Sequence, residues 1–110
     1  MTFEEYQKQA LKTAITNPDP LMDKTIMAMG ISGEAGEVLE KWKKIVAYKQ
    51  GVITDEDLQE LTKELGDVVW YIAVFAQSLG VNLEDVMRLN VQKLQDRQQR
   101  DVLKGVGDNR

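Results

Sequence analysis

Both prolines of this chain lie in one tetrapeptide, Asn17-Pro18-Asp19-Pro20, and residues 21–110 contain none. Proline breaks a helix because it lacks a backbone N–H, and it pushes the residue before it out of the helical region. No segment alternates apolar and polar residues between turn residues, as a β-strand would. The sequence therefore predicts an all-α fold whose main break lies at residues 17–20.

The spacing of apolar residues and the capping residues divide the chain into four helices, which we expect to form a bundle-like fold. Thr2 with Glu5 predicts a capping box for the first helix, while Thr54 and Asn82 are the predicted caps of the third and fourth. The four predicted helices run from Phe3 to about Thr16, from about Leu21 to Tyr48, from Asp55 to about Leu79, and from Leu83 to about Arg100. Residues 101–110 lack periodicity, which indicates a loop or an extended arm. We expect a single domain over residues 1–110, with its core at about 21–100.

The run Val68–Ala76, with the sequence VVWYIAVFA, is apolar on almost every side of the third predicted helix. A helix that is apolar all round is buried all round, and a single chain of 110 residues can hardly surround it. We therefore expect oligomerisation to complete the fold, as a homodimer or a homotetramer with its functional sites near the subunit contacts.

The composition excludes several kinds of site, because the chain has neither cysteine nor histidine. Disulfides, thiolate and imidazole metal sites and a histidine general base are therefore ruled out. The net charge of −4 gives no basic surface for a nucleic acid. No apolar run reaches the roughly 18–20 residues that a membrane span needs, and the acidic N-terminus is unlike a secretory signal. We expect a cytoplasmic protein that binds neither nucleic acid nor membrane.

Two acidic pairs, Glu34-x-x-Glu37 and Glu64-x-x-Asp67, lie on the second and third predicted helices. Residues three apart share one face of a helix, so packing these helices together brings four carboxylates close to one another. Such a group is strongly self-repelling unless cations or protons offset its charge. Carboxylate oxygens suit Mg²⁺ or Mn²⁺, and the four acids are therefore candidate metal ligands.

Two alternative interpretations of this region stay open. Lys41 lies four residues after Glu37, so the two can form an ordinary ion pair on a solvated helix surface. Gly30, Gly33 and Gly36 flank the first acidic pair, and their lack of a side chain indicates close approach of either another helix or a ligand.

Three stretches together resemble the MazG-like nucleoside triphosphate pyrophosphohydrolases of the all-α NTP pyrophosphatase superfamily. They are residues 33–44 (GEAGEVLEKWKK), residues 64–73 (ELGDVVWYIA), and Asn90 with Lys93 and Arg97. The family pattern is Glu-Glu-x-x-Glu, a spacer and Glu-x-x-Asp, and Gly33 replaces its first glutamate. The resemblance extends over about residues 21–100, and the tail is similar to that of short, stand-alone, often phage-borne members.

The resemblance implies hydrolysis of a nucleoside triphosphate between its α- and β-phosphates, which yields a nucleoside monophosphate and pyrophosphate. The family's acids map to Glu34, Glu37, Glu64 and Asp67, which implies that these catalytic residues hold Mg²⁺, with Mn²⁺ as a substitute. The chain offers no evident covalent nucleophile, whereas metal-activated water needs none. Glu34 and Glu37 are both candidates for the general base.

Candidate substrate-binding residues come from two sources. Lys41 and Lys44 follow the first acidic pair along its helix and can meet a triphosphate. The resemblance implies that Asn90 and Lys93 hold phosphates, that Arg97 lies near them, and that Tyr71 touches the nucleotide. Two other functions stay open: a relative that acts on phosphoribosyl-ATP, and a regulatory or dimerisation module that binds metal without catalysis.

Overall fold

The computed structural model of the chain describes residues 1–110 and contains helices and loops only. The helices are α1 (Phe3–Leu11), α2 (Pro20–Lys49), α3 (Asp55–Ser78) and α4 (Leu83–Gln99). The prediction of an all-α fold with four helices is therefore confirmed. None of these helices is both long and apolar enough to cross a membrane.

Capping boxes begin α1 and α3, as the sequence predicts for α1. The hydroxyl of Thr2 accepts from the backbone N–H of Glu5, and the Glu5 carboxylate accepts from the N–H of Thr2, both at 3.0 Å. Thr54 and Asp57 form the same reciprocal pair at 3.1 Å. Each box satisfies two backbone N–H groups that a helix end would leave without a partner.

Two helix ends differ in detail from the predicted ones. Asn82 occupies the N-cap position of α4 as predicted, but its side chain makes no cap hydrogen bond. The N–H of Leu83 is bonded to the side chain of Gln7 instead. α1 ends at Leu11 rather than near Thr16, because the next N–H groups donate to carbonyls three residues back and form a tighter turn.

The helices α2 and α3 are antiparallel neighbours, and side-chain contacts along them fix their register. Gly30 of α2 lies against Tyr71 of α3. At the other end of the pair, Lys49 of α2 forms a 2.8 Å ion pair with Asp57 near the start of α3. Between these two contacts lie the residues of both acidic pairs, so this helix pair is the frame that positions the candidate site.

A single buried side chain joins α1 to the α3–α4 junction. The amide nitrogen of Gln7 donates to the carbonyls of Ala73 and Val81 at 3.1 Å, and its amide oxygen accepts from the N–H of Leu83 at 3.0 Å. Two of its partners, Ala73 and Leu83, belong to a small buried core whose other members are Ala10, Met27 and Val74. The contact holds α1 across α3 beside the candidate site.

The helix α4 packs against α1 and α3 and makes no contact with α2. The C-terminal residues 101–110 form turns, as the prediction of a loop requires, and fold back onto α4. Asp108 in this tail lies 2.8 Å from Lys93 and 2.9 Å from Arg97, both on α4. The second half of α4 thus has the tail as its partner.

The isolated chain leaves much apolar surface in contact with solvent. Its radius of gyration is 16.9 Å, whereas a compact chain of this length has about 13 Å. Only 9 of the 110 residues are buried. Within the run Val68–Ala76, Ala73, Val74 and Ala76 are buried but Val69 is 37% exposed. One chain therefore leaves part of this run uncovered, and oligomerisation stays a prediction.

Candidate active site

Three carboxylates meet between α2 and α3. Glu34 contributes one oxygen atom, Glu64 and Asp67 contribute one each, and these three atoms lie within 4.8 Å of one another. Glu64 and Asp67 share a face of α3 because they are three residues apart. The antiparallel register then places Glu34 opposite them. We call these three residues the acidic cluster.

Glu37, the fourth predicted acid, lies at the edge of the acidic cluster. Its carboxylate does not join the three oxygens that lie within 4.8 Å, and the residue is exposed. It is nevertheless close enough to act on Glu34 through space. The pKa of Glu34 is raised first by partial burial, and then by the negative charges of Asp67, Glu64 and Glu37. The negative charges of the other three predicted acids thus all act on Glu34.

Lys41 is the cation that lies directly at the acidic cluster. Its ammonium group is 3.5 Å from both Glu60 and Glu64, and the Glu64 side chain is only 17% exposed. Burial lowers the pKa of Lys41, but Glu60 and Glu64 outweigh that effect and the net shift is upward. Lys41 does not pair with Glu37, so the alternative of a surface ion pair between those two residues is not what the structure contains.

Lys44, the other predicted cation of α2, lies apart from the acidic cluster. It pairs with Glu40 on the surface of its own helix at 3.8 Å. It also lines a cavity of about 190 Å³ toward the far end of the helix pair, whose other walls include Lys41, Tyr48 and Lys49.

An open cavity of about 410 Å³ adjoins the acidic cluster. Its lining residues are Thr13, Glu34, Asp67, Trp70 and Tyr71. The indole N–H of Trp70 donates to the hydroxyl of Thr13 at 2.9 Å, which closes the cavity on the side of the α1–α2 connection. We call this space the acidic cavity.

A second cavity of about 190 Å³ shares three walls with the acidic cavity, namely Thr13, Trp70 and Tyr71. Its other walls are the apolar residues Ile15, Ile26 and Met27. We call it the apolar cavity. The two spaces adjoin, so a ligand with one charged end and one aromatic end fits the pair.

Two residues at this site escaped the sequence analysis. Thr13 lines both cavities, and the pKa of Tyr6 on α1 is raised by burial and by the charge of Asp67. Both precede residue 21, where the family resemblance begins. The one available signal was Tyr6 itself, a side chain with a polar end on the apolar face of α1.

The three candidates on α4 are not brought to the acidic cluster within one chain. Asn90 is exposed, whereas Lys93 and Arg97 hold Asp108 of the tail. Arg97 is 95% buried, and its guanidinium group also donates to the backbone carbonyl of Asp108. No ion pair or hydrogen bond joins these three residues to Glu34, Glu64 or Asp67.

Comparisons with known proteins give the same family that the motifs indicate. Residues 23–101 match the MazG nucleotide pyrophosphohydrolase domain. "Gene 37 protein" of Mycobacterium phage L5 is 45% identical over 114 residues, which cover all of both chains. "Uncharacterized protein YvdC" of Bacillus subtilis (strain 168) is 50% identical over 42 residues, 38% of this chain and 40% of that protein. No solved structure matches the chain. The chain therefore belongs to the MazG nucleotide pyrophosphohydrolase family.

Proposed function

We propose that this protein hydrolyses a nucleoside triphosphate between its α- and β-phosphates and releases a nucleoside monophosphate and pyrophosphate. The observation that carries the proposal is the meeting of three carboxylate oxygens within 4.8 Å, beside a cavity that Trp70 and Tyr71 line. Membership of the MazG family supports nucleotide pyrophosphohydrolase chemistry.

The residues of the acidic cluster fit a hard divalent cation. The donors are all carboxylate oxygens, which is the ligand type of Mg²⁺ and Mn²⁺. Only Lys41 offers a nearby positive charge, so three acids face one protein cation. Glu34, Glu64 and Asp67 would hold the metal ion, with Glu37 at its edge. When bound, the metal offsets phosphate charge and lowers the pKa of water.

The chain's own side chains then have distinct roles in the proposed reaction. Glu37 has no ion-pair partner and lies beside the acidic cluster, so its carboxylate is free to accept a proton from the attacking water. We propose it as the general base. Lys41 reaches from α2 to α3 and holds the orientation of Glu64. A triphosphate bound at the acidic cluster would compete with Glu60 for this ammonium group.

The nucleoside would lie toward the apolar cavity. Base rings stack on aromatic side chains, and a contact of this kind tolerates any base. Trp70 and Tyr71 form walls of both cavities, so they lie where phosphate and base would join. This arrangement supports a nucleotide rather than inorganic pyrophosphate as the substrate.

We also propose that the active form is a homo-oligomer. Twenty-five large apolar side chains are exposed on the single chain, and a surface of this kind normally marks a protein interface. A second copy that covers the exposed part of Val68–Ala76 would lie next to the cavities. Light scattering should give at least a dimer at micromolar concentration, and a stable monomer would contradict this part of the proposal.

The decisive experiment measures pyrophosphate release from a panel of canonical and modified nucleotides, with Mg²⁺, Mn²⁺ or EDTA. We expect release from at least one nucleotide, dependence on the divalent ion and no direct orthophosphate. Orthophosphate as the first product would contradict cleavage between the α- and β-phosphates. A protein that binds Mn²⁺ but hydrolyses nothing would support a metal-binding module instead.

Glu34→Gln with the matched control Glu40→Gln tests the acidic cluster directly. Both residues lie on α2, but Glu40 pairs with Lys43 and Lys44 away from the cavities. Binding to the folded state alone stabilises it by about 2.7 kcal/mol at a hundredfold excess of ligand over Kd. Mn²⁺ should therefore raise the melting temperature of the wild type and of Glu40→Gln, but not of Glu34→Gln. An equal shift in both variants would refute the assignment.

A further inference from the structure

Gly30 differs from the other glycines of α2 in what its backbone faces. A Cβ atom added at Gly30 would lie 2.2 Å from both Cδ1 and Cε1 of Tyr71, and 2.6 Å from its Cζ. Gly33 and Gly36 have no heavy atom within 4 Å of such a position. The ring of Tyr71 thus occupies the space that any side chain at position 30 would need.

The ring of Tyr71 is held on a second side by Trp70. The two ring centroids are 4.9 Å apart and the rings are nearly perpendicular, at 89°, which is a favourable edge-to-face arrangement. Trp70 is itself fixed by its hydrogen bond to Thr13. Tyr71 therefore cannot move away from α2 without disturbing the indole that forms the neighbouring wall.

The position of this contact relates it to the acidic cluster. Gly30 lies one helical turn before Glu34 on α2, and Tyr71 lies one turn after Asp67 on α3. Residues four apart share a helix face, so the glycine and the tyrosine form the next layer of the same interface. A ring pushed out of this layer changes the shape of both cavities, since Tyr71 lines each of them.

We infer that Gly30 is a positioning residue for substrate binding. Because Gly30 has no side chain, the Tyr71 ring packs directly against the backbone of α2, and the ring in this position forms the wall shared by the acidic and apolar cavities. The inference rests on the proposed function, because it assigns these cavities to the nucleotide. Helix propensity alone favours alanine over glycine at this mid-helix position. The close approach of the ring is the physical reason for a glycine there.

Gly30→Ala and the control Gly33→Ala separate this role from a general effect on the helix. Both changes improve helix propensity by the same amount, and the added methyl group at Gly33 meets open space. We expect Gly33→Ala to melt at or above the wild-type temperature and Gly30→Ala to melt below it. In a Tyr71→Ala background, where the ring is absent, Gly30→Ala should raise the melting temperature as Gly33→Ala does.

Binding provides the readout that a purely structural role would not change. Stacking of a base on an aromatic ring contributes enough to binding that displacement of the Tyr71 ring in Gly30→Ala should raise KM for the best nucleotide of the panel about tenfold or more, with a smaller change in kcat. Mn²⁺ affinity, measured by calorimetry, should stay near that of the wild type because the acidic cluster is retained. Equal KM values for Gly30→Ala and Gly33→Ala would overturn the inference.

A spectroscopic signature keeps the inference testable if the protein hydrolyses nothing. In a Trp42→Phe background Trp70 is the only indole, and Gly30→Ala should shift its emission and near-ultraviolet circular dichroism while Gly33→Ala does not. Absence of hydrolysis by the wild type would refute the proposed function alone. Unchanged indole spectra in Gly30→Ala would refute the packing of the Tyr71 ring on Gly30. If Gly30→Ala fails to fold, folding of Gly30→Ala/Tyr71→Ala supports the inference, and failure of both overturns it.

Discussion

Replacing Gln7 by methionine should destabilise the protein far more than the same replacement at Gln9. Gln7 is 96% buried and its side chain makes three hydrogen bonds of 3.0 to 3.1 Å to the backbone of Ala73, Val81 and Leu83. Methionine keeps the length of the side chain but can make none of them. The N–H of Leu83 and the carbonyl of Val81 would then lack a protein partner, and the carbonyl of Ala73 would keep only its hydrogen bond within α3.

The number of lost hydrogen bonds sets the size of the expected loss in stability. A typical hydrogen bond contributes about 1 kcal/mol net, and a buried group without a partner costs about 1–3 kcal/mol. Three lost bonds therefore predict a loss of about 3–5 kcal/mol in the free energy of unfolding. Small domains have only about 5–15 kcal/mol in total, so the variant should be close to unfolding at 37 °C.

Urea unfolding followed by circular dichroism measures this difference. Gln9→Met is the matched control, because it lies on the same helix, is exposed, and carries the same change in helix propensity. We expect the control to stay within about 0.5 kcal/mol of the wild type. If Gln7→Met were no less stable than Gln9→Met, the three hydrogen bonds would contribute nothing, and α1 would be held by apolar contacts alone.

Two further predictions concern ion pairs. Hydrogen bonds from Lys49 and Thr54 lower the pKa of Asp57 to about 2 from 3.8; the resulting stabilisation is complete above the unfolded value and is lost as the pH falls through the folded one. The difference in melting temperature between wild type and Asp57→Asn should therefore be largest above about pH 4 and shrink toward pH 2. Asp108→Asn should speed amide exchange in residues 101–110 and lower the melting temperature, because the buried guanidinium group of Arg97 loses its carboxylate partner. Slow exchange in the variant would show that other contacts hold the tail.

The helix pair that carries the site could be predicted because its signals are local. The spacing of Glu34 and Glu37, and of Glu64 and Asp67, depends only on helical geometry, and the breaks at Pro18 and near residue 51 separate the helices. The geometric reason for Gly30 could be stated only as an open alternative. Its contact is with a residue 41 positions later, and nothing in the local sequence distinguishes Gly30 from Gly33.

The contributions of α1 and α4 could not be predicted, because they depend on contacts between distant parts of the chain. Gln7 and Thr13 look like ordinary polar residues of a surface helix, yet both make hydrogen bonds to residues more than 50 positions away. On α4, the resemblance predicts that Lys93 holds phosphates and that Arg97 lies near them, but the tail supplies a carboxylate to both. A sequence indicates which side chains can bind an anion; it does not indicate which internal anion is near.

The α2–α3 interface contains both repulsion between carboxylates and contacts that hold the two helices together. Three carboxylates at close range favour separation of the helices when no cation is bound, since like charges disfavour one another's ionised form. Contacts on both sides of the cluster oppose that separation. The Tyr71 ring packs on Gly30 toward α1, and Lys41 forms ion pairs with Glu60 and Glu64 on the other side. Neither contact involves the Glu34 or Asp67 carboxylate. The two contacts therefore hold the helix pair together while leaving the carboxylates of Glu34 and Asp67 without a protein cation, whereas Glu64 is shared with Lys41.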